Sequence, residues 1–482
     1  MKILFVASEC APFVKTGGLA DVIGAVPKAL AALDVTARVL LPVYPALKDL
    51  ASKGETVWQS ETLQGGAARV VACQSDGIEL LLLDAPHLFD RPGNIYIGPD
   101  GEDWSDNAQR FSALSFVAAE IAVQGVQGWR PDVVHAHDWQ AGLVPVYLRQ
   151  RGERTPPSVL TIHNIAFQGL FDPTLMTELG LSSESYTPEG MEFFGQIGFL
   201  KAGIAFCDKI TTVSPTYARE LMLPEFGMGL EGLLQARSSD LCGILNGIDL
   251  DVWSPEEDDL LVAPYSARRL KQKAQNRAEV LRRFGLENDT DGPVFCIISR
   301  LTTQKGLDLV LEALPVMAAR GAKLAVLGNG DKALENGFVA AAQAHPGSVG
   351  VIIGYDEPLS HLMQGGCDAI LIPSRFEPCG LTQLYGLRYG TLPVVARTGG
   401  LADTVIDANE AALMTKCATG VQFAPVTIDA LEQAILRTCD LYEQPSVWAG
   451  MIRRAMRHPV GWDVSAQAYK DIYTSLTGTH SA

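Results

Sequence analysis

The sequence feature that most constrains the fold is a series of short apolar segments rich in β-branched residues. Each is followed by a turn and a helical pattern, and the segments are residues 2–8, 132–138, 158–164, 209–214, 294–299, 323–330, 349–354, 369–374 and 392–396. Apolar strands that alternate with helices are typical of parallel sheets whose two faces are both covered. The pattern therefore predicts an α/β fold.

The apolar segments fall into two groups, on either side of the polar stretch 254–277. A chain of 482 residues is too long for one ordinary core. Asn246-Gly247 is a strong turn signal close to this stretch. The sequence thus predicts two doubly wound, Rossmann-like domains, formed by residues 1–245 and 246–460.

The last segment, 461–482, predicts a helix without a following strand. Trp462, Ala466, Tyr469 and Tyr473 recur at the spacing of one helix face. We expect this helix to dock outside the C-terminal sheet.

Composition excludes several classes of function. A formal net charge of −17 makes the chain a poor general binder of nucleic acid or of an anionic membrane. No stretch of about 20 apolar residues predicts a membrane span. Nine cysteines without a CxxC motif suit a reducing compartment, and the N-terminal apolar run is better interpreted as a buried strand than as a signal peptide. We expect a cytoplasmic protein, and no sequence feature fixes its oligomeric state.

The hexapeptide TGGLAD occurs twice, at residues 16–21 and 398–403. Each copy follows a predicted strand and begins a helical pattern. Paired glycines let backbone approach a ligand closely, and a helix N-terminus offers N–H groups to an anion; the alternative is that they only form a turn. The candidate substrate-binding residues here are Lys15, Gly17, Gly18, Asp21, Thr398 and Gly399.

Two further loops follow strands of the second domain. Arg300 and Lys305 lie in one strand-to-helix loop and are candidates to neutralise a leaving diphosphate without a metal, although both could be ordinary surface charges. Glu377, in the loop Glu-Pro-Cys-Gly-Leu, is a candidate for contact with a sugar or an oxocarbenium-like centre.

Polar side chains end two strands of the first domain. His135 and His137 alternate on one strand and suggest zinc, but no Glu or Cys lies near them in sequence, so a metal site is disfavoured. Asp138 and Trp139 suit sugar hydroxyls and a pyranose face. His163 ends another strand; a buried structural histidine is the alternative at each of these positions.

These motifs together resemble one family, the bacterial glycogen synthases and plant starch synthases. The matching segments are KTGGLADV, HDW, HNIAFQG, KAGIAFCDKITTVSPTYARE, ILNGIDLDVWSP, SRLTTQKGLDL, FEPCGLTQLYGLRYG and TGGLADTV. They run from the first strand towards the C-terminal helix in family order and spacing.

The resemblance implies a GT-B fold, in which two Rossmann-like domains face a deep interdomain cleft and the C-terminal helix crosses back to the first domain. It implies transfer of glucose from ADP-glucose to the non-reducing 4-hydroxyl of an α-1,4-glucan such as glycogen, with retention of configuration. It implies no metal and no organic cofactor.

The resemblance also assigns roles. Arg300 and Lys305 would clamp the diphosphate, Glu377 would lie at the reacting glucose, and Tyr355 would stack on the base. His163 and Asp138 would be catalytic polar groups on the N-terminal wall of the cleft, and the loop that contains Lys15, Gly17 and Gly18 would contact the donor. The other substrate-binding residues that the resemblance implies are Trp139, Asn246, Cys379, Gly380, Leu381 and Thr382. Tyr385 stands where many related transferases carry a second glutamate, so we expect front-face substitution rather than double displacement.

Two other functions are open at this level. A bilobed sugar-binding protein would share the layout, but the cations at 15, 300 and 305 suit a diphosphate that a free sugar lacks. A glucan phosphorylase would need a pyridoxal phosphate lysine and normally a longer chain.

Overall fold

The computed structural model describes residues 1–152, 155–288 and 292–478. It consists of two compact units. The first comprises Met1–Asn246 together with the segment that begins at Trp462, and the second comprises Gly247–Gly461. Both units are α/β with parallel sheets, so the fold class predicted from the apolar segments is confirmed.

The N-terminal unit is built on a nine-stranded sheet of order β12-β11-β7-β6-β1-β2-β5-β4-β3, beside a small sheet of order β8-β10-β9. Its strands are β1 Lys2–Val6, β2 Thr36–Pro42, β3 Glu55–Leu63, β4 Gly66–Ser75, β5 Ile78–Asp84, β6 Val133–His137, β7 Ser158–Ile162, β8 Leu170–Phe171, β9 Glu192–Phe193, β10 Gln196–Gly198, β11 Lys209–Thr212 and β12 Leu241–Gly243. The strands from β12 to β5 in this order are parallel to one another.

One part of this sheet was not predicted. β3 and β4 add an antiparallel meander at the edge beyond β5. β3 is mostly exposed, and most of its residues are polar. Strands with one solvated face lack the continuous apolar run that marks the buried parallel strands.

The C-terminal unit has a six-stranded sheet of order β15-β14-β13-β16-β17-β18, in which every pair is parallel. Its strands are β13 Val294–Ile298, β14 Lys323–Gly328, β15 Val349–Ile353, β16 Ala369–Ile372, β17 Leu392–Ala396 and β18 Val421–Phe423. Because the strands run in one direction, the loops that follow β13, β16 and β17 are neighbours at one edge.

Helices connect the strands in both units. In the first unit they are α1 Gly18–Ala31, α2 Lys48–Ala51, α3 Pro86–Phe89, α4 Asn107–Gln124, α5 Val144–Gln150, α6 Phe199–Phe206, α7 Pro215–Glu220, α8 Pro224–Gly227 and α9 Glu231–Ala236. In the second they are α10 Lys273–Phe284, α11 Leu307–Ala319, α12 Lys332–Ala344, α13 Glu357–Gly366, α14 Thr382–Tyr389, α15 Gly399–Thr404, α16 Glu410–Met414, α17 Ile428–Tyr442 and α18 Pro445–Ala455. In the described ranges, none is long and apolar enough to cross a membrane.

The last helix, α19 Asp463–Thr477, packs on the N-terminal unit against α1 and β6. Tyr473 is fully buried, and its hydroxyl lies 2.7 Å from Nδ1 of His135 on β6. Lys470 donates to the carbonyl of Leu33 at 2.9 Å. The apolar face seen in the sequence therefore faces this unit; residues 479–482 of the predicted segment lie outside the described residues.

Candidate functional site

The carboxyl ends of the neighbouring strands β6 and β7 bring Asp138 and His163 together. The backbone N–H of His163 donates to Oδ1 of Asp138 at 2.7 Å, and Nε2 of His163 lies 3.0 Å from Nδ1 of His137. Asp138 has φ +54°, a conformation that a non-glycine residue rarely adopts. The strand ends thus hold a carboxyl group and an imidazole in one hydrogen-bonded arrangement.

Burial controls ionisation in this group. It lowers the pKa of His135 and of His163 to about 3 and that of His137 well below its usual range, because a charged imidazole would lose its hydration. It raises the pKa of Asp138 to about 7. Three neutral imidazoles therefore lie beside a carboxyl group that titrates near neutrality.

We expect the free energy of unfolding to fall as the pH is lowered from about 6.5 towards 5. In the unfolded chain an imidazole binds its proton near pH 6.5, whereas His135, His137 and His163 stay neutral in the fold. Asp138 acts oppositely, because it is protonated in the fold at a pH where the unfolded carboxyl is ionised. Unfolding therefore takes up a net number of protons that approaches two. The free energy of unfolding should accordingly change by about 1 to 3 kcal/mol per pH unit.

Urea denaturation between pH 7.5 and pH 5 measures this slope. His135→Gln is the matched variant, because an amide can still bond the hydroxyls of Tyr473 and Thr161, which lie 2.7 Å and 2.6 Å from the imidazole nitrogens. This substitution should reduce the proton uptake on unfolding by about one proton and lower the slope in proportion. A stability that does not change over this range would contradict the assignment of neutral imidazoles.

Trp139 and Asn246 have different surroundings: the Trp139 ring packs against other side chains, whereas the side-chain oxygen of Asn246 has no hydrogen-bond partner among the described residues. The Trp139 ring is 7% exposed and packs edge-on against Phe111, with ring centroids 4.9 Å apart. A Cβ on Gly169 would overlap it at 2.4 Å, so most of this ring belongs to the core. Oδ1 of Asn246 is buried and has no hydrogen-bond partner among the described residues.

The first TGGLAD loop is held by a residue that sequence analysis missed. Glu9, which is buried, accepts hydrogen bonds from the backbone N–H groups of Thr16 and Gly17, at 2.5 Å and 3.1 Å. It also accepts from the hydroxyl of Tyr96 at 2.5 Å. Lys15 is exposed and pairs with Asp21 at 2.7 Å, so one buried carboxylate fixes a loop whose cation and glycines face solvent.

A second group of predicted site residues lies in the C-terminal unit, and Glu377 and Lys305 are at its centre. Glu377 is 7% exposed and accepts hydrogen bonds from Nζ of Lys305 and from Oγ of Ser374, the latter at 3.0 Å. The loops after β13 and β16 therefore meet in a paired carboxylate and ammonium. These two hydrogen-bond donors hold the Glu377 carboxylate in one position at the edge of the sheet.

These two loops are joined by further contacts. Gln304 donates to the carbonyl of Phe376 at 3.1 Å, and Arg375 binds both oxygens of Asp308 at 2.7 Å and 2.6 Å. Gly306 has φ +64°, and a Cβ there would lie 2.0 Å from the carbonyl oxygen of Pro373. The loop that carries Lys305 is therefore fixed against the loop that carries Glu377.

The second TGGLAD loop packs directly against the Glu377 loop. The N–H of Gly400 donates to the carbonyl of Glu377 at 3.1 Å. Gly399 has φ +42°, and a Cβ there would lie 1.9 Å from the same carbonyl oxygen. Glycine is needed in this loop because the backbone of the Glu377 loop packs so close to it. The start of a helix would not by itself require glycine here.

The two copies of TGGLAD thus have different surroundings. A Cβ on Gly17 or Gly18 meets no atom of the described residues within 4 Å. The glycines of the first TGGLAD loop have open space beside them, whereas those of the second loop pack against neighbouring backbone. Open space beside a cation and a helix start is what a ligand phosphate needs.

We expect Gly17→Ala and Gly18→Ala to leave stability within about 1 kcal/mol of the wild type but to weaken binding of a phosphorylated ligand about tenfold, because a methyl group would block backbone contact with the phosphate. Thermal unfolding and isothermal titration with ADP measure the two effects. Undiminished ADP affinity in both variants would show that these glycines only form the turn.

The other predicted residues surround the Glu377 loop or lie farther along the sheet edge. Cys379 is buried, and its carbonyl and that of Gly380 accept from the side chain of Gln383 at 3.0 Å and 2.8 Å. Thr382 begins α14 and Leu381 immediately precedes it, and Thr398 immediately precedes α15. Arg300 is exposed after β13, and Tyr355 is 77% exposed with its hydroxyl donating to Glu357 at 2.9 Å.

No group of three or more His, Cys, Asp and Glu side chains is arranged to hold a metal ion in the part of the chain that the structure describes. Sequence analysis missed three residues of these loops. Gln304 and Glu9 contact distant parts of the chain, Phe376 and Tyr96 respectively, whereas Ser374 binds Glu377 within the same loop. Glu9 carried one available signal, since it follows the first strand as Asp138 follows β6.

Comparison with known proteins finds two family models. Residues 2–236 match the starch synthase catalytic domain, and residues 281–451 match glycosyl transferases group 1. The chain is 69% identical to a glycogen synthase of Roseobacter denitrificans, over 99% of this chain and 100% of the relative, and 56% identical to that of Paracoccus denitrificans, over 98% and 99%. Its structure resembles the catalytic domain of starch synthase IV from Arabidopsis thaliana bound to ADP and acarbose, with a TM-score of 0.86, 29% identity and 99% of each chain covered.

Proposed function

This chain belongs to the glycogen and starch synthase family of GT-B glycosyltransferases, and on that premise we propose that it elongates an α-1,4-glucan by transfer of glucose from ADP-glucose. The observation that carries the proposal is the full-length match to a glycogen synthase at 69% identity. The paired Glu377 and Lys305 in its C-terminal unit supply suitable chemistry. Membership of this family favours a transferase over a sugar-binding protein or a glucan phosphorylase.

The C-terminal domain predicted from the sequence as residues 246–460, which corresponds to the unit Gly247–Gly461, is proposed to bind the nucleotide sugar. Arg300 and Lys305 would hold the diphosphate as it gains charge, and Tyr355 would stack on the base. The backbone of Cys379, Gly380, Leu381 and Thr382 would bind sugar and phosphate. Support comes from the position of these groups on loops that follow the neighbouring strands β13 and β16, or that follow β15.

The N-terminal domain predicted from the sequence as residues 1–245 with the C-terminal helix, which corresponds to the unit that contains Met1–Asn246, is proposed to bind the glucan. Asp138 and His163 would contact sugar hydroxyls, and Lys15 with Gly17 and Gly18 would reach the donor phosphates. Their support is the open space beside Gly17 and the hydrogen bond between Asp138 and His163.

The proposed step breaks the bond between glucose C1 and the diphosphate oxygen and forms a bond from C1 to the acceptor 4-oxygen on the same face. The 4-hydroxyl proton passes to the leaving phosphate, which departs as ADP, and no other reactant is needed. Glu377 would stabilise positive charge on the sugar. Its contact with Lys305, which would hold the diphosphate, places the carboxylate next to the proposed phosphate ligand. A covalent glucosyl adduct on Glu377, trapped with a slow donor, would overturn the single-step mechanism.

The test of this function is nucleotide release from ADP-glucose and from UDP-glucose, each with and without glycogen. We expect glycogen-dependent ADP release and an extended glucan. Absence of release from both donors would refute the proposal. We also propose a cytoplasmic location, which is supported by nine free thiols.

A further inference from the structure

We propose that Trp253 is a positioning residue for the nucleotide-sugar donor, which acts by fixing the helix α14 rather than by touching the donor. This inference rests on the proposed function, in which the backbone of Leu381 and Thr382, where α14 begins, binds sugar and phosphate. Trp253 lies near the start of the C-terminal unit and far from α14 in sequence, so only the fold brings the two together.

The Trp253 ring lies between two other aromatic rings. It stacks on Tyr385 of α14, with ring centroids 3.6 Å apart and planes 15° from parallel. It also stacks on His361 of α13, with centroids 3.8 Å apart and planes 16° from parallel. Two rings so close to one centroid fit only on opposite faces of the indole. The loop that carries Trp253 is therefore joined to both helices through one stack.

Hydrogen bonds fasten the Trp253 loop to the same helix. Nε of Arg388 donates to the carbonyl of Trp253 at 3.2 Å, and its NH2 group donates to Oγ of Ser254 at 3.3 Å. Arg388 follows Tyr385 by three positions, so both side chains lie on one face of α14. That face holds the ring and the backbone of Trp253 at the same time.

A buried carboxylate fixes the far side of the stack. Oδ2 of Asp258 accepts a hydrogen bond from the hydroxyl of Tyr389, which is also on α14, and lies 2.8 Å from Nδ1 of His361. Asp258, His361 and Tyr389 are all buried. The imidazole that stacks on Trp253 is thus tied back to α14, and the ring sandwich is closed on both sides.

The first turn of α14 links this stack to the proposed donor contacts. Tyr385 lies one turn after Leu381, and its N–H donates to the carbonyl of Leu381 at 3.0 Å. A shift of the Tyr385 ring would therefore move the turn that follows the Glu377 loop. Displacements near 1 Å are enough to disturb the geometry of a bound substrate.

The stack also gives Tyr385 a role at the position where many related transferases carry a second glutamate. A phenol ring can stack on an indole, whereas a carboxylate cannot. The feature that α14 needs at this position is therefore a ring rather than a charge. Tyr385→Glu should behave like a variant that lacks the ring.

The test measures ADP binding by isothermal titration calorimetry for Trp253→Leu, which keeps an apolar side chain but removes the flat ring. We expect the Kd for ADP and the KM for ADP-glucose to rise about tenfold, with kcat and the half-saturating glycogen concentration unchanged. Trp253→Phe keeps a ring and should recover most of the affinity. A loss of stability alone would not separate KM from kcat in this way.

Trp448→Leu is the matched control. Trp448 is a buried tryptophan of the same unit, and its ring packs edge-on to Tyr442 of α17 at 5.4 Å. Its variant should lose stability but bind ADP as wild type does. Equal weakening of ADP binding in Trp448→Leu and Trp253→Leu would assign the effect to general destabilisation and overturn the proposal.

Variants of Tyr385 decide how Trp253 acts. Tyr385→Phe keeps the ring and should bind ADP as wild type does, whereas Tyr385→Leu should match Trp253→Leu. The double variant should bind no more weakly than either single one, because both remove the same stack. Additive losses, unchanged affinity in Trp253→Leu, or a loss in Tyr385→Phe would each overturn the inference and leave the proposed function intact. A wild-type protein that binds no ADP would refute the function, and this inference with it.

Discussion

Glu377→Gln should lower kcat/KM for glycogen-dependent ADP release by about 1,000-fold. The amide keeps the size of the side chain but removes the charge proposed to stabilise the sugar in the transition state. It also leaves Lys305 without its anionic partner and places an amide beside Ser374. The measurement is steady-state ADP release with both substrates varied, together with thermal unfolding to show that the fold persists.

The control for Glu377→Gln is Asp368→Asn. Asp368 is a paired carboxylate of the same unit, since it accepts from the N–H of Val294 at 2.8 Å and pairs with Arg277 at 3.3 Å. It lies at the amino ends of β13 and β16, the opposite edge of the sheet from Glu377. We expect its variant to lose stability but to retain kcat. A Glu377→Gln enzyme within tenfold of wild type would contradict the assigned role.

Gly399→Ala should lower both stability and activity, although the substitution adds one methyl group. The new Cβ would lie 1.9 Å from the carbonyl oxygen of Glu377, so the backbone of one loop must move. Strain at φ +42° adds to this effect. We expect a loss of about 3 kcal/mol in the free energy of unfolding and about 100-fold in kcat/KM, because a displacement near 1 Å disturbs catalytic geometry.

Gly285→Ala separates these two causes. Gly285 has φ +63° at the end of α10, and no described atom lies within 4 Å of its added Cβ. Its variant should lose only about 1 kcal/mol and keep full activity. If Gly399→Ala behaved like Gly285→Ala, the contact with Glu377 would have no catalytic consequence.

Much of the fold could be predicted because parallel strands leave a local signal. The segments that became β1, β6, β7 and β13 are mostly apolar and almost wholly buried, because neighbouring strands and helices cover both faces. The meander β3–β4 gave no such signal because much of it faces solvent. Local pattern records burial, so exposed strands were the ones missed.

The candidate site was predicted only in part, for a related reason. Arg300, Lys305 and Glu377 follow apolar strands, so their place at the sheet edge could be inferred from the chain alone. Glu9 binds the first TGGLAD loop through Thr16 and Gly17, which lie only seven and eight positions away, but its contact with Tyr96, 87 positions away, could not be inferred. Such contacts depend on the packing of whole elements, which no local pattern encodes.

The repeated TGGLAD separates what the sequence determined from what the tertiary structure decided. The sequence by itself determined that each copy follows a strand and begins a helix, because strand and helix patterns are local. Only the tertiary structure decided that Gly17 has open space while Gly399 touches the backbone of Glu377. A glycine records that a side chain is excluded, and only the surrounding atoms show whether a ligand or the protein itself takes that space.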